Sequence, residues 1–381
     1  MRVALIDSGP GNVAAGSGTA VAVTALRAAL RSEGVEASVI RPRHRRGGAT
    51  LARWRFNRSL DKRVLSGYDM LLGVNGDGYA AAAAHGTPFV ALVKALYGGA
   101  ADYERGVTRG LIGLHARWEA AGARSATMVV APSRFAAGAT AALYGVAPQR
   151  IAVIPEPFDV QRWRDALPPL QRDGTRVLCV AHLYPRKRVA DLLAAWPAVA
   201  RQVPGARLDV IGDGPELRRL ATHAASLHRC YLHGHLEPAA VRTFHAQADV
   251  FCLPSAQETF GYAVVEAMAS GLPVVAADTA ALPELCSGAV AELVSVGDVD
   301  GIARAITSML GDGALCADAA SRNPERAAEF APERVGQEYR LLLEELQRRV
   351  GGSDSRSDGS LRYRCTTPRM SAGSPASESA K

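Results

Sequence analysis

Short apolar runs alternate with segments of helical periodicity through the first half of this chain. The apolar runs cover residues 3–6, 37–40, 68–73, 88–93, 127–131 and 150–154, and each has the length of a buried strand. Alternation of strands and helices is typical of parallel sheets with helices on both faces, so the pattern predicts a doubly wound α/β unit. At 381 residues, the chain is long enough for two such domains.

Two glutamates, Glu258 and Glu266, lie eight positions apart in a strand, loop, helix and strand unit of the second half. The apolar run 249–253 ends in a Pro-Ser turn, and a loop around Gly261 then leads into a helix. In open parallel sheets such a loop lies at the carboxyl edge, where ligands bind. Backbone N–H groups of Phe260 and Gly261 at the helix N-terminus suit a phosphate, and the Glu266 carboxylate can accept two vicinal hydroxyls. The unit therefore indicates a sugar-nucleotide site.

A glycine-rich loop follows the first apolar run, and Gly16 and Gly18 in it allow the backbone to approach a ligand closely. This loop loosely matches a dinucleotide fingerprint, so an oxidoreductase with a nicotinamide cofactor is an alternative. That fingerprint needs an acidic residue about 20 positions later to hold the ribose, but the strand 37–40 ends at Arg41. NAD is therefore not expected, and an NADP-dependent oxidoreductase remains the alternative.

The segment 254–275, together with Leu282-Pro-Glu-Leu285, resembles the donor-site signature of retaining glycosyltransferases of the GT-B fold, family four, also called group 1. The resemblance extends from Met1 to about residue 349. It implies two Rossmann-like doubly wound domains that face each other across a cleft. It also implies that the donor is a nucleotide diphosphate sugar and that neither a metal nor another cofactor is needed.

The resemblance places the domain boundary at residues 155–157, where relatives have a Pro-Asn-Gly hinge and this chain has Pro-Glu-Pro. Residues 1–157 are then the acceptor-side domain and residues 158–331 the nucleotide-sugar domain. Residues 332–350 form an amphipathic helix that returns to the first domain. Residues 351–381 are rich in serine, glycine and arginine, which predicts a disordered tail.

The resemblance also assigns the groups that contact the donor diphosphate. Lys187 occupies the position of the family's lysine. His182 stands where the family has an arginine, so one expected fixed cation is a titratable group here. Arg186 or Arg188 offers compensating charge. Lys187, His182 and Glu258, which holds hydroxyls of the donor sugar, are the expected catalytic residues.

Other expected donor contacts come from the same resemblance. Glu266 holds the ribose, and Phe260 and Gly261 offer backbone N–H groups. Gly212 lies in a tight Gly-Asp-Gly-Pro turn, the backbone of Leu232 and His233 lies where the nucleotide base is expected, and Gly16 and Gly18 face the cleft.

On the acceptor side, Lys94 stands where many relatives have a histidine that reaches the reacting sugar. Lys94 is expected either to direct positive charge toward the leaving diphosphate or to be a surface residue. Glu104, in the glycine-rich segment that follows, is expected to face the acceptor. Asp298 and Asp300 form an Asp-x-Asp pair, and this pattern holds the metal ion in proteins of the other large glycosyltransferase fold. Their place just before a helix instead predicts that Asp298 is an N-cap.

The expected function is therefore retaining transfer of a hexosyl group to a glycan, a glycolipid or a small molecule. The alternative from another class is a non-catalytic protein that binds sugar nucleotides, since His182 and Lys94 depart from the family pattern. Nothing at the start of the chain has the hydrophobic region of about 7 to 15 residues that a signal peptide needs. A cytoplasmic protein is expected.

Residues 41–63 carry nine lysines and arginines against one acid, with Trp54 and Phe56 among them, in a chain of net charge +7. Such a segment is either a solvated loop or a surface that docks on an anionic membrane, so the protein is a candidate peripheral protein of the inner membrane surface. Nucleic acid is not an expected partner, because no recognised nucleic-acid-binding module accompanies the charge.

Overall fold

A computed structural model of the chain describes residues 1–9, 18–42 and 48–351. All paired strands run parallel. The strands are β1 Arg2–Ile6, β2 Glu36–Ile40, β3 Met70–Val74, β4 Phe89–Leu92, β5 Met128–Ala131, β6 Ile151–Val153, β7 Arg176–Val180, β8 Arg207–Ile211, β9 Cys230–Leu232, β10 Val250–Leu253, β11 Val274–Ala277 and β12 Ala291–Val294.

Helices connect these strands and cover both faces of the sheets. They are α1 Gly18–Ser32, α2 Ala49–Ser59, α3 Lys62–Leu65, α4 Tyr79–His85, α5 Tyr97–Ala100, α6 Gly106–Ser125, α7 Arg134–Tyr144, α8 Val160–Asp165, α9 Val189–Gln202, α10 Leu217–Ala224, α11 Pro238–Gln247, α12 Tyr262–Ala269, α13 Leu282–Cys286, α14 Val299–Gly311, α15 Gly313–Ala328 and α16 Pro332–Gly351.

Two six-stranded sheets organise the chain, with strand orders β2-β1-β3-β4-β5-β6 and β12-β11-β10-β7-β8-β9. Side chains alternate between the two faces of each sheet. In β1, Val3 and Leu5 join one apolar cluster, while Ala4 and Ile6 join the cluster on the opposite face. The doubly wound α/β architecture expected from the sequence is confirmed, because both faces of both sheets are buried.

The chain passes from one sheet to the other after β6 and returns with α16. The amide of Phe158 donates to the carbonyl of Phe330 at 2.7 Å, so the outgoing and the returning segment lie side by side. Helix α16 packs on α1, where a Cβ atom on Gly336 would lie 2.5 Å from the carbonyl oxygen of Ala29. The C-terminal helix therefore belongs to the core of the N-terminal domain. The predicted tail lies, apart from Gly351, outside the described residues.

The expectation that residues 41–63 form a solvated loop is wrong for part of this segment. Residues 49–59 form α2, and its inner face buries Ala52, Arg53 and Phe56. The apolar positions recur at helical spacing, but the surrounding arginines mask this periodicity in the sequence. Residues 43–47 lie outside the described part of the chain.

Helix ends follow local capping rules. The Asp298 carboxylate accepts the amide of Gly301 at 2.8 Å at the start of α14, and the Ser133 hydroxyl accepts the amide of Ala136 at 3.1 Å at the start of α7. The predicted role of Asp298 as an N-cap is confirmed.

Candidate functional site

The loop between β10 and α12 lies at the carboxyl edge of the second sheet. Gly261 ends this loop in the left-handed region, at φ 106°, and a Cβ atom there would lie 3.0 Å from the Leu285 side chain. A glycine is therefore required for both the turn and the packing. Among the described residues, the amides of Phe260 and Gly261 have no hydrogen-bond acceptor. They are free donors at the N-terminus of α12, whereas the Phe260 ring is buried in the core.

Glu266 lies one turn into α12, and its side chain is partly buried. Its carboxylate has no hydrogen-bond or ion-pair partner within the described part of the chain. Burial raises the pKa of Glu266 to about 7, while the nearby positive charge of Arg242 acts in the opposite direction. A desolvated carboxylate without a protein partner is able to accept hydroxyl groups of a ligand.

Lys187 and Glu258 contact each other directly. The Lys187 ammonium donates to a Glu258 carboxylate oxygen, and the two side chains are 13% and 12% exposed. The structure thus brings together a cation expected at a diphosphate and a carboxylate expected at sugar hydroxyls. A donor that binds both groups has to replace this ion pair or insert between its members.

Lys187 ends a short 3-10 turn, Pro185–Lys187, that follows β7. The Arg186 guanidinium lies 4.7 Å from the centre of the Tyr184 ring and forms no ion pair with any described residue. Arg188, by contrast, binds Asp191 at 2.5 Å. Of the two arginines expected to compensate for His182, Arg186 is therefore the one whose charge is not already paired.

His182 is exposed at the end of β7, and its ring meets the Tyr184 ring edge-on with centroids 6.4 Å apart. It lies three residues before the turn with Arg186 and Lys187, so the three expected diphosphate contacts share one loop.

At two of the expected backbone contacts, Gly212 and His233, the amides are bonded within the protein. The Gly212 amide donates to the carbonyl of Gly234 at 2.8 Å, and the His233 amide donates to the carbonyl of Val210 at 2.9 Å. Neither N–H group is free to bind a nucleotide base. Gly212 instead permits close packing, because a Cβ atom there would lie 1.8 Å from the carbonyl oxygen of Ala181.

The side chains of Leu232 and His233 at this strand end also make contacts within the protein. The His233 imidazole pairs with Asp209 at 2.6 Å, and Leu232 packs against the apolar core. Asp209 also receives two hydrogen bonds from Arg207, each 2.8 Å long. This cluster fixes the edge of the second sheet.

Lys94 follows β4, and the expectation that it is a surface residue is wrong, because it is only 9% exposed. Its ammonium donates to both carboxylate oxygens of Glu156 at 2.6 Å, so its charge is paired within the protein. A role toward the leaving diphosphate stays a prediction. Glu156 stands where the resemblance implies a hinge asparagine. The two departures from the implied pattern therefore form one buried ion pair.

Glu104 lies between a short 3-10 turn and α6 and is 7% exposed. Its Oε1 atom is buried without a hydrogen-bond partner. Gly18 begins α1, and a Cβ atom there would meet open space. Gly16 lies outside the described residues.

A buried polar network at the carboxyl edge of the first sheet escaped the sequence analysis. Arg53 binds Asp77 at 2.9 Å, also donates to the carbonyl of Asn75, and lies within 3.4 Å of the His115 ring. Burial, together with the charge of Arg53, lowers the pKa of His115 to about 4, so this ring is neutral at physiological pH. The helical spacing of Ala52, Arg53 and Phe56 was the available signal.

Two family models match separate parts of the chain that do not overlap. The model "Glycosyltransferase Family 4" matches residues 16–162, and the model "Glycosyl transferases group 1" matches residues 174–312. The chain belongs to the family 4 (group 1) glycosyltransferases. Both matches agree with the position of the two sheets.

Curated relatives of this glycosyltransferase include mannosyltransferases of Mycolicibacterium smegmatis. A phosphatidyl-myo-inositol mannosyltransferase is 37% identical over 184 residues, which cover 46% of this chain and 47% of the relative. A GDP-mannose-dependent alpha-(1-6)-phosphatidylinositol monomannoside mannosyltransferase is 34% identical over 152 residues, which cover 37% of this chain and 40% of the relative. The chain thus spans less than half the length of these relatives.

Solved structures establish the fold of this glycosyltransferase as GT-B. A sucrose-phosphate synthase from Thermosynechococcus elongatus superposes with a TM-score of 0.74 at 19% identity and covers 91% of this chain and 98% of its own. Anabaena HepE in complex with UDP and glucose superposes with a TM-score of 0.68 at 18% identity and covers 90% and 99%. At these identities the likeness concerns the fold.

Proposed function

We propose that this chain catalyses retaining transfer of a hexosyl group from a nucleotide diphosphate sugar to an acceptor. The observation that carries this proposal is the set of unpaired groups at one edge of the second sheet. The Glu266 carboxylate and the amides of Phe260 and Gly261 have no protein partners among the described residues, and the Arg186 cation lacks an ion pair there. The carboxylate matches the hydroxyl groups of a ribose, the two amides match one phosphate, and the arginine matches a second phosphate.

The proposed chemistry uses fixed charge at the leaving group. Lys187 and Arg186 neutralise the negative charge that develops on the departing diphosphate, and the N-terminus of α12 adds two N–H donors. Glu258 orients the donor sugar through its hydroxyl groups. These protein cations take the place that a metal ion has in other transferases, so we propose that no metal is required. Retention at the anomeric carbon is proposed from family membership.

GDP-mannose is the first donor to test. Relatives of this chain are described as GDP-mannose-dependent mannosyltransferases, whereas the structurally similar HepE was crystallised with UDP and glucose. The amides of Gly212 and His233 are engaged within the protein and do not distinguish the two bases.

Thermal shift with GDP, UDP, ADP and their hexose conjugates, followed by donor hydrolysis without acceptor, tests the proposal. A ligand at 100 times its Kd adds about 2.7 kcal/mol to the free energy of unfolding, which gives a readable shift. Binding with slow hydrolysis supports a transferase. Binding without turnover, even when acceptors are supplied, indicates a non-catalytic binder. If no nucleotide stabilises the protein, the proposal is wrong.

The acceptor is proposed to lie on the N-terminal side of the cleft. Glu104 is the candidate contact, because its carboxylate is nearly buried and one of its oxygens has no partner. A hydroxyl or amino group of a glycan, a glycolipid or a small molecule would satisfy that oxygen.

We also propose that α2 docks on an anionic membrane surface, which would place the protein at the cytoplasmic face of a membrane. Its outer face exposes Leu51 and Trp54, at 42% and 47%, beside Arg55 and Arg58. Arg58 lies 5.1 Å from the centre of the Trp54 ring. Each basic residue near an anionic bilayer contributes about 1 kcal/mol. No helix of the described residues is long and apolar enough to cross a membrane.

Sedimentation with phosphatidylglycerol vesicles and with phosphatidylcholine vesicles tests this docking. We expect binding to the anionic vesicles alone, weakened by salt and by Trp54→Ala. Leu170→Ala, at an exposed apolar residue of the other domain, is the matched control and should leave binding unchanged. Equal binding to both kinds of vesicle, or none, would contradict docking through α2.

A further inference from the structure

The loop that carries Glu258, residues 255–260 and here called the donor loop, contacts both domains. On the C-terminal side, the amide of Ala256 donates to the carbonyl of Arg186 at 2.8 Å. The Glu258 side chain binds Lys187. The donor loop is thus tied to the basic turn that supplies the proposed diphosphate contacts.

The residues on either side of Glu258 reach across to the N-terminal domain. The Thr259 hydroxyl donates to the carbonyl of Lys94 at 2.7 Å. The Thr259 carbonyl accepts the Ser133 hydroxyl at 2.8 Å. On the other side, the Gln257 amide group donates to the carbonyl of Leu96 at 3.4 Å.

The carbonyls of Lys94 and Leu96 belong to a segment that we call the receiving loop, residues 94–99. Its first turn is fixed by Asn75, whose side-chain oxygen accepts the amides of Lys94 at 2.8 Å and of Ala95 at 3.0 Å. The Lys94 side chain is held by its ion pair with Glu156. Both the backbone and the side chain of Lys94 are therefore immobilised.

The second turn of the receiving loop is fixed by a buried acid. The Glu119 carboxyl accepts the amide of Tyr97 at 2.8 Å and the hydroxyl of Tyr144, and that hydroxyl accepts the amide of Gly98 at 3.0 Å. Glu119 is 1% exposed, and burial raises its pKa. Side chains from α6 and α7 thus satisfy backbone groups that the loop itself leaves unpaired.

The shape of the receiving loop also matches the donor loop. A Cβ atom on Gly99 would lie 2.7 Å from the Gln257 amide nitrogen, so the close approach of Gln257 depends on a glycine there. Leu96 is buried and adopts a left-handed backbone conformation, with φ 48°. Such a conformation persists in a non-glycine residue only when its surroundings hold it.

We propose that Thr259 and Gln257 are positioning residues that set Glu258 against the donor sugar by means of the receiving loop of the opposite domain. Nucleotide recognition needs only the C-terminal domain, because Glu266, Phe260 and Gly261 all belong to it. The productive position of Glu258 requires the N-terminal domain as well. Gln257 and Thr259, the two neighbours of Glu258, therefore couple the contact between the domains to the binding of the donor sugar.

This inference rests on the proposed transferase function, and its physical basis is geometric. Displacing a reacting or orienting group by about 1 Å can lower the rate about a hundredfold, while the affinity for the distant nucleotide is unaffected. Thr259 itself is not expected to touch the donor, because its hydroxyl is already donated to Lys94.

The test compares Thr259→Val, Thr259→Ser and the matched control Thr140→Val. Thr140 is also a threonine whose hydroxyl donates to a backbone carbonyl at 2.7 Å, but its acceptor is Ala136 in its own helix. Donor hydrolysis gives kcat and KM for whichever nucleotide sugar the wild type cleaves. Calorimetry gives Kd for the matching nucleoside diphosphate, and thermal melting gives Tm.

We expect Thr259→Val to lower kcat about threefold to tenfold, as the loss of one hydrogen bond allows, while Kd for the nucleoside diphosphate changes by less than about twofold. Thr259→Ser keeps the hydroxyl and should restore kcat. Thr140→Val should leave kcat unchanged. Unchanged kcat in Thr259→Val, or a fall in Thr140→Val of the same size, would overturn the inference.

Gln257→Ala serves as a second variant if Thr259→Val does not fold, because it removes only the hydrogen bond to Leu96. The same pattern, lower kcat with unchanged Kd, is expected, and unchanged kcat would overturn the inference. Failure of the proposed function has a different signature, since the wild type would then neither bind a nucleoside diphosphate nor hydrolyse a nucleotide sugar.

Discussion

The carboxyl edges of the two sheets meet where the donor loop contacts the receiving loop, but their polar groups differ in how they are paired. At the second sheet, Glu266 and the amides of Phe260 and Gly261 have no partners among the described residues. At the first sheet, Arg53 is paired with Asp77 and Lys94 with Glu156, all of them buried. Beside its Lys187–Glu258 ion pair, the second edge leaves groups unpaired for a ligand, whereas the polar groups named at the first edge are paired with each other.

This difference shows how two domains of the same architecture can have different roles, one in ligand binding and the other in structural support. Unpaired buried groups are unfavourable unless a ligand satisfies them, so the second sheet gains from binding a nucleotide. Paired buried groups hold loops in place, so the first sheet offers a rigid surface. The N-terminal domain then contributes two backbone carbonyls to the donor site, those of Lys94 and Leu96. Among the described residues, it supplies no unpaired charged side chain to that site.

The largest effect is expected where the first edge loses half of an ion pair. Glu156→Ala leaves the Lys94 ammonium buried without a partner, which should lower the free energy of unfolding by about 3 to 5 kcal/mol. The double variant Lys94→Met with Glu156→Gln should be clearly less destabilised. Urea denaturation measures both.

Asp318→Ala is the control for this pair, because it breaks an ion pair with Arg322 in which both side chains are about half exposed, and it should cost less than about 1 kcal/mol. If Glu156→Ala were as mild as Asp318→Ala, the first edge would not depend on its internal pairing, and the contrast between the two edges would be lost.

A second test removes a cation from the other edge. Lys187→Ala should lower kcat at saturating donor by about a hundredfold or more, because the charge on the departing diphosphate then lacks its nearest protein cation. Steady-state donor hydrolysis measures this. Arg188→Ala is the adjacent control, since Arg188 is already paired with Asp191 and should matter far less. Near-normal turnover in Lys187→Ala would exclude this residue from leaving-group stabilisation.

The third test concerns the free carboxylate. Glu266→Ala should weaken nucleoside diphosphate binding by about 1.5 to 3 kcal/mol, the contribution of a hydrogen bond to a charged group. Calorimetry with the diphosphate that stabilises the wild type measures this change. Glu292→Ala, at an exposed glutamate of β12, provides the control. Unchanged affinity in Glu266→Ala would contradict the assignment of the ribose to this residue.

The smallest effect is a pH dependence of the same interaction. Burial raises the pKa of Glu266 to about 7, so the carboxyl is protonated at lower pH and the ionised acceptor is lost. Nucleotide affinity should therefore fall below pH 7, by at most about tenfold per pH unit, and level off above it. Glu266→Gln should remove this part of the pH dependence. The remaining slope reports the titration of the nucleotide, and an equal slope in both proteins would contradict the raised pKa.

Much of the donor side could be predicted because it depends on short segments. The free amides of Phe260 and Gly261, the helix that carries Glu266 and the basic turn with Lys187 all lie within a few residues of a strand end. Strand ends and helix starts are readable from periodicity and turn residues. The cap at Asp298 was predicted for the same reason, whereas the GT-B fold was predicted from the family resemblance.

The acceptor side was predicted less well because its contacts join distant segments. Lys94 and Glu156 are 62 positions apart, and Arg53 and Asp77 are 24 apart. A charge in a sequence is expected to be solvated unless a partner is known, and no local pattern identifies such a partner. Lys94 was therefore expected at the surface or at a diphosphate. Helix α2 was not predicted, because its arginines obscure the helical spacing of its apolar residues.

By itself the sequence determined the doubly wound architecture and the loop that carries the proposed donor contacts, since each follows from periodicity, turns and spacing within one segment. The family followed from the resemblance of that loop to a known donor-site signature. Only the tertiary structure decided which polar groups are free and which are paired. That distinction depends on burial and on contacts between elements far apart in the chain, as in the pairing of Thr259 with Lys94 across 165 positions.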